Sequence, residues 1–282
     1  MIDLHTHSLV SDGTDSPTSL VAQAAEGGLD VIALTDHDTT AGWDEAADAA
    51  AQHGVGLVRG AELSTKHGGR SVHLLAYLFD RDHPELRAAM ERVVDDRLPR
   101  LREMVELMAS DGIDISWPEV DALLVPGTTP GRPHIADVLV AKGVVPDRSA
   151  AFGRWLYNGS PYYVRHFSLE TADAVRLVRE AGGVPVLAHP FSITRGSVIG
   201  ADDVRELAAG GLSGIEVMHR DHDDAGRALA ADLAVELDLV PTGSSDFHGD
   251  GKPNRLAEHT TSAESLARVE ALASSPVAVL RA

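Results

Sequence analysis

The chain has 282 residues, a formal net charge of −19 at pH 7 and no cysteine. The lack of cysteine excludes a disulfide-stabilised scaffold, and any transition-metal site must be built from His, Asp and Glu. The negative charge disfavours a protein that holds long nucleic acids, although a small phosphate-containing substrate held by metal ions stays open. No run approaches the roughly 20 apolar residues of a membrane span and no leader precedes the first strand, so we expect a cytoplasmic protein.

Segments typical of strands alternate with segments typical of helices along most of the chain. The predicted strands are residues 2–4, 31–34, 55–58, 72–79, 184–188, 214–218, 239–242 and 277–280. A first helix opens at Ser16-Pro17, a good N-cap and first-turn pair, and ends near Gly27-Gly28. The other predicted helices are residues 44–52, 169–180, 204–209, 225–237 and 263–273. Repeated βα units indicate a parallel sheet, and this number of units favours a closed barrel.

Residues 98 to 163 interrupt this alternation. Residues 98–108 and 135–141 have helical patterns, and no strand is predicted between them. The intervening stretch is rich in proline and glycine, namely Pro126, Gly127, Pro130, Gly131 and Pro133. We therefore predict one barrel, residues 1–97 and 164–282, with a small helical insertion, residues 98–163, packed over one of its ends.

Histidine and acidic residues recur where the predicted strands end. His5 and His7 share one face of the first strand, because side chains alternate along a strand. Residues of the same kind accompany the later strands: Asp36-His37-Asp38, Glu62, His73, His189, Asp246 and His248. Active sites of βα barrels are built at the carboxyl ends of the strands. The pattern therefore predicts a metal centre at that end of the barrel.

Seven segments, in order along most of the chain, resemble the polymerase and histidinol phosphatase (PHP) family of metal-dependent phosphoesterases. They are His5-Thr6-His7 with Ser11-Asp12-Gly13, Leu34-Thr35-Asp36-His37-Asp38, Gly60-Ala61-Glu62-Leu63-Ser64, Val72-His73-Leu74-Leu75, Gly131-Arg132-Pro133-His134, Ala188-His189-Pro190 and Gly243-Ser244-Ser245-Asp246-Phe247-His248-Gly249. The resemblance implies a distorted (β/α)7-type TIM-like barrel with two to three divalent metal ions. The insertion before Ser160–Val164 resembles the branch that hydrolyses nucleoside 3′,5′-bisphosphates and the 5′ ends of short oligoribonucleotides.

The same resemblance implies nine metal ligands in three sets. A first ion is held by His5, His7, Glu62 and Asp246. Glu62 bridges to a second ion completed by His73 and His134, and a third ion is held by Asp12, His37 and His248. Nitrogen and oxygen donors without sulfur suit manganese, iron or zinc. Three divalent ions outweigh the three carboxylates by about +3, which explains how so acidic a chain attracts a phosphate.

Other residues are predicted to act on the substrate. The expected chemistry is attack on phosphorus by a metal-activated hydroxide, with Asp246 among the catalytic residues. Arg132 offers a planar fork for phosphate oxygens, and His189 is predicted to bind phosphate or to protonate the leaving oxygen. His219 follows a strand and is predicted to contact the substrate. Tyr163 is predicted to wall the substrate pocket, with packing inside the insertion as the alternative.

Two expectations concern polar residues outside the ligand set. Asp36 and Asp38 are predicted to orient ligands by accepting hydrogen bonds from their imidazoles. The remaining histidines have no ligand context and are expected to be exposed to solvent: His53, His67, His83, His166, His222 and His259.

Two alternative functions stay open at this point. The first is amide or lactone hydrolysis of another small substrate in an amidohydrolase-like barrel. Such barrels commonly bridge their metals with a carboxylated lysine, whereas Lys66, Lys142 and Lys252 lie at no predicted strand end. The second is a non-catalytic module like the PHP domains associated with polymerases. The complete ligand set and the lack of an appended domain argue against it.

Overall fold

The computed structural model describes residues 1–124, 127–165, 167–194 and 199–281. The strands are β1 (Ile2–Asp3), β2 (Val31–Leu34), β3 (Gly56–His67), β4 (Arg70–Tyr77), β5 (Leu169–Glu170), β6 (Val184–Ala188), β7 (Gly214–Met218) and β8 (Val240–Gly243). The α-helices are α1 (Pro17–Glu26), α2 (Trp43–His53), α3 (Pro84–Ser110), α4 (Trp117–Asp121), α5 (Arg132–Ala141), α6 (Arg148–Ala151), α7 (Thr171–Glu180), α8 (Ala201–Ala209), α9 (Asp224–Glu236) and α10 (Ala263–Leu272). A π-helical turn, Phe152–Leu156, follows α6. Pro126 and His166, on which predictions were made, lie outside the described residues.

The strands form one curved sheet in the order β1-β2-β3-β4-β6-β7-β8, and β5 pairs beside β3. The two edges of this sheet meet. Thr6, beyond β1, bridges Phe247, beyond β8, and the His7 backbone N–H donates to the Phe247 carbonyl at 2.9 Å. The predicted distorted barrel is therefore confirmed, with a nearly closed sheet surrounded by helices.

The prediction of a wholly parallel sheet is wrong at β4, which runs antiparallel to both β3 and β6. Gly68 and Gly69 join β3 to β4 with φ angles of 56° and 77°. Two central residues with positive φ make the tight turn of a β-hairpin, so no crossover helix is needed here. The strand predicted at 55–58 is twelve residues long, and Glu62 lies inside it rather than after it. The strand predicted at 277–280 reduces to one bridge between Leu280 and Leu57.

Apolar side chains form two layers, one on each face of the barrel sheet. Alternation along β4 sends Leu74 to the layer that packs against the surrounding helices and Leu75 to the layer inside the barrel. Each fully buried side chain of this size contributes about 1.5–3 kcal/mol. Val58 belongs to the inner layer, so Glu62, four residues further along β3, faces the same way. Acidic and imidazole groups on these strands therefore point into the barrel.

The insertion is built on a longer helix than the sequence indicates. Helix α3 has 27 residues and begins at Pro84, so the helix predicted at 98–108 is only its second half. The predicted boundary at residue 97 falls inside α3, and the domain division stays a prediction. A separate apolar cluster, in which α3 and α5 contribute Met104 and Leu139, fills the insertion. No helix in the described ranges is both long and apolar enough to cross a membrane.

Candidate metal centre

Two histidines beyond β1 begin the site. His5 and His7 are fully buried, and their Nε2 atoms lie only 3.0 Å apart. This arrangement follows from their positions two residues apart on an extended segment, which point both rings to the same side. Two imidazole lone pairs that converge on one point need a shared proton or a cation between them.

The first group, called cluster A, joins this pair to two carboxylates and consists of His5, His7, Glu62 and Asp246. Glu62 Oε2 lies 3.1 Å from both Nε2 atoms. Asp246 Oδ1 lies 3.5 and 3.4 Å from the same two atoms. All four donor atoms lie within 4.8 Å of one another. The residues that the resemblance assigned to a first ion are thus brought together.

The second group, cluster B, consists of His37, Glu62 and His73. Glu62 pairs with Leu75 across the hairpin and Ser64 with His73, so Glu62 and His73 are diagonal neighbours on one face of the sheet. His73 Nδ1 lies 2.5 Å from Glu62 Oε1, and His37 Nδ1 lies 3.3 Å from Glu62 Oε2. Glu62 therefore belongs to both clusters: its Oε2 faces His5, His7 and His37, and its Oε1 faces His73, so this carboxylate could be shared by two ions.

His134 differs from its expected position. The resemblance assigned it to the second ion, yet among the described residues it joins none of the potential metal groups, and His37 takes its place. The imidazole is buried, and its Nδ1 accepts a hydrogen bond from the Gly131 backbone N–H at 3.1 Å. Helix α5 thus holds this ring beside its own first turn.

The third group, cluster C, consists of His7, Asp12, His37 and His248. Asp12 Oδ1 lies 3.2 Å from His248 Nε2, and Asp12 Oδ2 lies 3.7 Å from His37 Nε2. His7 Nδ1 lies 3.7 Å from Asp12 Oδ1. The set expected for a third ion is complete, and His7 adds a fourth donor that also serves cluster A.

Several potential ligand atoms in these clusters are buried and form no well-aligned hydrogen bond, although oppositely charged atoms lie nearby. In the part of the chain that the structure describes, they include His37 Nδ1, Asp246 Oδ1 and His248 Nε2. A buried polar atom without a partner costs about 1–3 kcal/mol. Divalent cations would satisfy all three atoms at once, and their preference for nitrogen and oxygen donors suits these side chains. The residues present therefore fit metal ions.

The charge states of the clusters favour cation binding. Burial would raise the pKa of the Glu62 carboxyl, but His73, His5 and His37 outweigh it and hold the pKa well below its usual range. Burial would also raise the pKa values of Asp12 and Asp246. Neighbouring groups outweigh it, namely His248 and His37 at Asp12 and Lys252 and His248 at Asp246, so both pKa values lie well below normal. The clusters therefore offer three ionised carboxylates at neutral pH.

The histidines divide into two electrostatic classes. Burial lowers the pKa of His37 and of His248 to about 4, so both rings are neutral and can donate a lone pair. At His7 burial is outweighed by Asp246 and Glu62, which raise the pKa to about 9. Carboxylates also raise the pKa of His5, against the effect of burial. In the ion-free chain protons on His5 and His7 thus fill the role that a cation would take.

Glu216, which sequence reasoning missed, supports cluster A from behind. This carboxylate lies within β7 and is fully buried. One oxygen lies 3.1 Å from His5 Nδ1 and accepts a hydrogen bond from Ser244 Oγ, while the other accepts from the His189 backbone N–H at 2.7 Å. It therefore directs His5 Nε2 towards the cluster. The available signal was an acidic residue in an otherwise apolar strand.

Asp36 and Asp38 were predicted to accept hydrogen bonds from ligand imidazoles, but their hydrogen bonds come from other groups. Asp36 accepts hydrogen bonds from Ser8 N–H, Ser8 Oγ and Ser11 Oγ at 2.6–2.8 Å. It therefore shapes the turn between His7 and Asp12. Asp38 accepts from the Ser64 backbone N–H at 2.7 Å and from Arg97 Nη2 at 2.6 Å.

Lys252 also reaches the centre, although its sequence position gave no reason to expect it. Its Nζ lies 2.8 Å from Asp246 Oδ2, on the opposite oxygen from the one that faces cluster A. Lys66 pairs with Glu170, and Lys142 with Asp114 and Glu119. The shared carboxylate between clusters is thus Glu62, and no described lysine holds the bridging position of an amidohydrolase-like site.

His189 and His219 lie against the clusters, as their predicted roles require. His189 Nε2 is 3.0 Å from Glu62 Oε1. His219 is fully buried, with Nε2 3.7 Å from Asp246 Oδ2. His222, expected at the surface, is instead buried, and its Nε2 accepts a hydrogen bond from the Phe191 backbone N–H. Its environment is structural because both ring nitrogens contact backbone groups.

Three arginines lie close enough to influence one another's charge and are here called the arginine group: Arg97, Arg100 and Arg132. Arg97 pairs with Asp38, whereas Arg100 Nε donates to the Val164 carbonyl at 2.7 Å. Arg132 Nη1 donates to the Leu156 carbonyl and to Asn158 Oδ1. The Tyr163 ring lies 5.4 Å from the guanidinium carbons of both Arg100 and Arg132. Burial and the charges of Arg132 and Arg97 lower the pKa of Arg100 to about 9.

Comparison with known proteins identifies the family. Residues 3–114 match the model of the PHP domain. Over 268 residues the chain is 35% identical to a 3′,5′-nucleoside bisphosphate phosphatase from Chromobacterium violaceum, covering 92% of this chain and 91% of that protein. The chain belongs to the PHP family. It is also 35% identical over 246 residues to a 5′-3′ exoribonuclease from Haemophilus influenzae, with 87% of this PHP chain and 89% of that protein covered.

A solved structure agrees with this assignment. A protein from Bifidobacterium adolescentis, assigned to the metal-dependent phosphoesterases, matches 98% of this PHP chain and 97% of its own with a TM-score of 0.94 and 38% identity. The predicted family and barrel are therefore confirmed. The predicted enzyme class, a metal-dependent phosphoester hydrolase, is confirmed at the level of the family.

Proposed function

We propose that this PHP protein hydrolyses phosphate monoesters or terminal phosphodiesters of small nucleotides. The proposed substrates are nucleoside 3′,5′-bisphosphates and the 5′ ends of short oligoribonucleotides. The observation that carries the proposal is the arginine group, which begins at the metal clusters with Arg97, paired with Asp38 next to His37, and continues into the insertion. Such a site has two separate places for anions, and a substrate with two phosphoryl groups has an anion for each. The C. violaceum relative is named for a bisphosphate substrate, which supports this choice.

The charge of the arginine group supports a bound phosphate. Arg97 is partly neutralised by Asp38, while Arg100 Nε donates to the uncharged Val164 carbonyl. Burial first, and then the like charges of Arg132 and Arg97, lower the pKa of Arg100, and this repulsion raises the free energy of the site. A phosphate would relieve that repulsion, and guanidinium groups bind phosphate oxygens with charge-assisted hydrogen bonds. Arg132 and Arg100, with Tyr163 between them, are therefore the proposed second phosphate site.

The chain's own residues divide the catalytic work. Clusters A, B and C would hold two to three divalent ions, proposed to be manganese, iron or zinc. When bound, such ions acidify water and screen the charge that develops on phosphoryl oxygens. His189, 3.0 Å from the shared carboxylate Glu62, binds a phosphate oxygen or protonates the leaving oxygen. His134 stays a proposed ligand, and since its Nδ1 is bonded to Gly131, its Nε2 is the atom that would bind an ion.

A substrate panel tests the proposal. Nucleoside 3′,5′-bisphosphates, 5′-monophosphates, 3′-monophosphates, short 5′-phosphorylated RNA, amides and lactones are assayed with manganese. We expect kcat/KM for the bisphosphate to exceed that for either monophosphate by roughly 10- to 150-fold, the value of one charge-assisted hydrogen bond of 1.5–3 kcal/mol. Turnover of amides or lactones without turnover of phosphates would instead favour the amidohydrolase-like alternative. No turnover of any substrate by metal-loaded protein would favour the non-catalytic module.

A single variant separates the two anion sites. We expect Arg100→Gln to raise KM for the bisphosphate about tenfold or more and to leave KM for a monophosphate unchanged. Arg176→Gln is the matched control, because Arg176 is exposed and pairs with Glu180 on α7. An equal effect of Arg100→Gln on both substrates would contradict a second phosphate site.

The metal content is tested directly. Protein purified without chelators is analysed for transition metals, with two to three ions per chain expected. Fewer than one ion per chain would contradict the proposed chemistry. Activity restored by manganese, iron or zinc after chelation would identify which ion the clusters use.

A further inference from the structure

Arg148 links the helical insertion to the loop that carries Asp12. Its Nε and Nη2 atoms hold both oxygens of Asp137 at 2.5 and 2.7 Å, and its Nη1 donates to the Asp12 backbone carbonyl at 2.8 Å. The Arg148 side chain is only 11% exposed. Asp137 lies on α5 and Arg148 on α6, whereas Asp12 lies beyond β1. One guanidinium therefore connects two insertion helices to a residue of cluster C.

The Asp12 loop is held from two other directions by the barrel itself. The N–H groups of Ser11 and Gly13 donate to the Ser8 carbonyl at 3.1 and 2.9 Å. Ser11 Oγ donates to Asp36 at 2.6 Å. These bonds fix the two neighbours of Asp12, while Arg148 holds its own carbonyl. The direction of the Asp12 carboxylate towards His248 depends on all three supports.

Gly251 gives the guanidinium its space. A Cβ added at Gly251 would overlap Arg148 Nη1 and would lie 3.2 Å from the His248 carbonyl. The loop after His248 therefore closes over Arg148, which is enclosed by Asp137, Asp12 and Gly251. Such packing is more than a surface ion pair needs, and it joins both ends of cluster C to the insertion.

We propose that Arg148 is a positioning residue that controls occupancy of cluster C and couples it to the placement of the insertion. The inference rests on the proposed function only in requiring that the clusters hold divalent ions. Helix α5, which Arg148 ties to the Asp12 loop through Asp137, also carries Arg132 of the proposed second phosphate site. Metal loading at cluster C and the phosphate-binding helix are thus joined by one side chain.

The test is manganese binding to the full chain, measured by calorimetry and elemental analysis. We expect Arg148→Gln to weaken one class of manganese site by about 10- to 100-fold, the usual effect of losing a residue that orients a ligand. The other sites keep their affinity, and Arg148→Lys restores part of the loss. Lys142→Gln is the matched control, because Lys142 belongs to the insertion and pairs with Asp114 and Glu119 there.

A steric variant tests the same point without changing charge. Gly251→Ala displaces the Arg148 guanidinium and is expected to weaken the same manganese site. Gly153→Ala, at a position with no atom within 4 Å of the added Cβ, is its control. If Arg148→Gln does not fold, Gly251→Ala decides. Native manganese content and affinity in the folded variants would overturn this inference alone, whereas a native chain that binds no metal would contradict the proposed function itself.

Discussion

Replacing Glu216 with glutamine tests whether the affinity of cluster A for a metal ion depends on the carboxylate that orients His5. Three hydrogen bonds end on Glu216, from His5 Nδ1, from the His189 backbone N–H and from Ser244 Oγ. Glutamine keeps the shape but turns one accepting oxygen into an NH2 group and removes the charge. Bonds to a charged acceptor contribute about 1.5–3 kcal/mol against about 0.5–1.5 kcal/mol for neutral ones. A loss of about 2 kcal/mol at His5 corresponds to roughly 30-fold weaker binding of the ion at cluster A.

The assay is competition between the protein and a chelator for manganese at pH 7.5. Glu236→Gln is the matched control and is expected to leave the manganese affinity unchanged. Glu236 is an exposed residue of α9 that pairs with Arg205. Circular dichroism confirms that both variants fold. Manganese affinity of Glu216→Gln within twofold of the native value, or an equal loss in Glu236→Gln, would refute the assigned role of Glu216.

Three further predictions concern the clusters and the barrel. Glu62→Ala removes the carboxylate shared by clusters A and B, so we expect turnover to be lost and elemental analysis to find fewer ions per chain. Because the pKa of His7 is raised to about 9 in the ion-free chain, manganese binding at pH 7 releases its proton. His5, whose pKa is also raised, must release its proton as well, so apparent affinity should rise by more than tenfold and up to about a hundredfold per pH unit below pH 9. Tyr77→Phe leaves the Leu4 carbonyl, now bonded at 2.8 Å, without its partner, and should cost about 1–3 kcal/mol of unfolding free energy in urea.

Each of these has an outcome that would contradict it. Retained turnover in Glu62→Ala would refute its bridging role. Calorimetry in buffers of different ionisation enthalpy counts the released protons, and a count of zero at pH 7 would contradict the raised pKa. An unchanged unfolding free energy in Tyr77→Phe would mean that the bond from the Tyr77 hydroxyl to the Leu4 carbonyl does not stabilise the barrel.

Much of the site could be predicted from local pattern alone. His5 and His7 share a face because strand side chains alternate, and Asp246 and His248 follow the last barrel strand in the same way. Two of the failures show different causes. Glu216 was missed because its function depends on contact with the imidazole of His5, which is distant in the sequence and adjacent only in the folded barrel. The β3–β4 hairpin was missed although Gly68-Gly69, a recognised hairpin turn signal, was present.

The insertion was the least predictable part. His134 was expected among the ligands, but the ring stays beside Gly131 at the start of α5. Its distance from the clusters depends on how α5 docks, and that docking is governed by contacts such as Arg148 with Asp12. No short segment of sequence contains both partners of such a contact.

By itself, the sequence determined the chemical kind of the donors, their order along the chain and the family, because periodicity and short motifs are local properties. The tertiary structure decided which donors share an ion. Glu62 bridges two clusters because a hairpin sets it diagonal to His73, and His37 completes cluster B where His134 was expected. It also decided that Glu216 and Lys252 reach the centre. Those distances join residues far apart in the chain, so they exist only once the barrel closes.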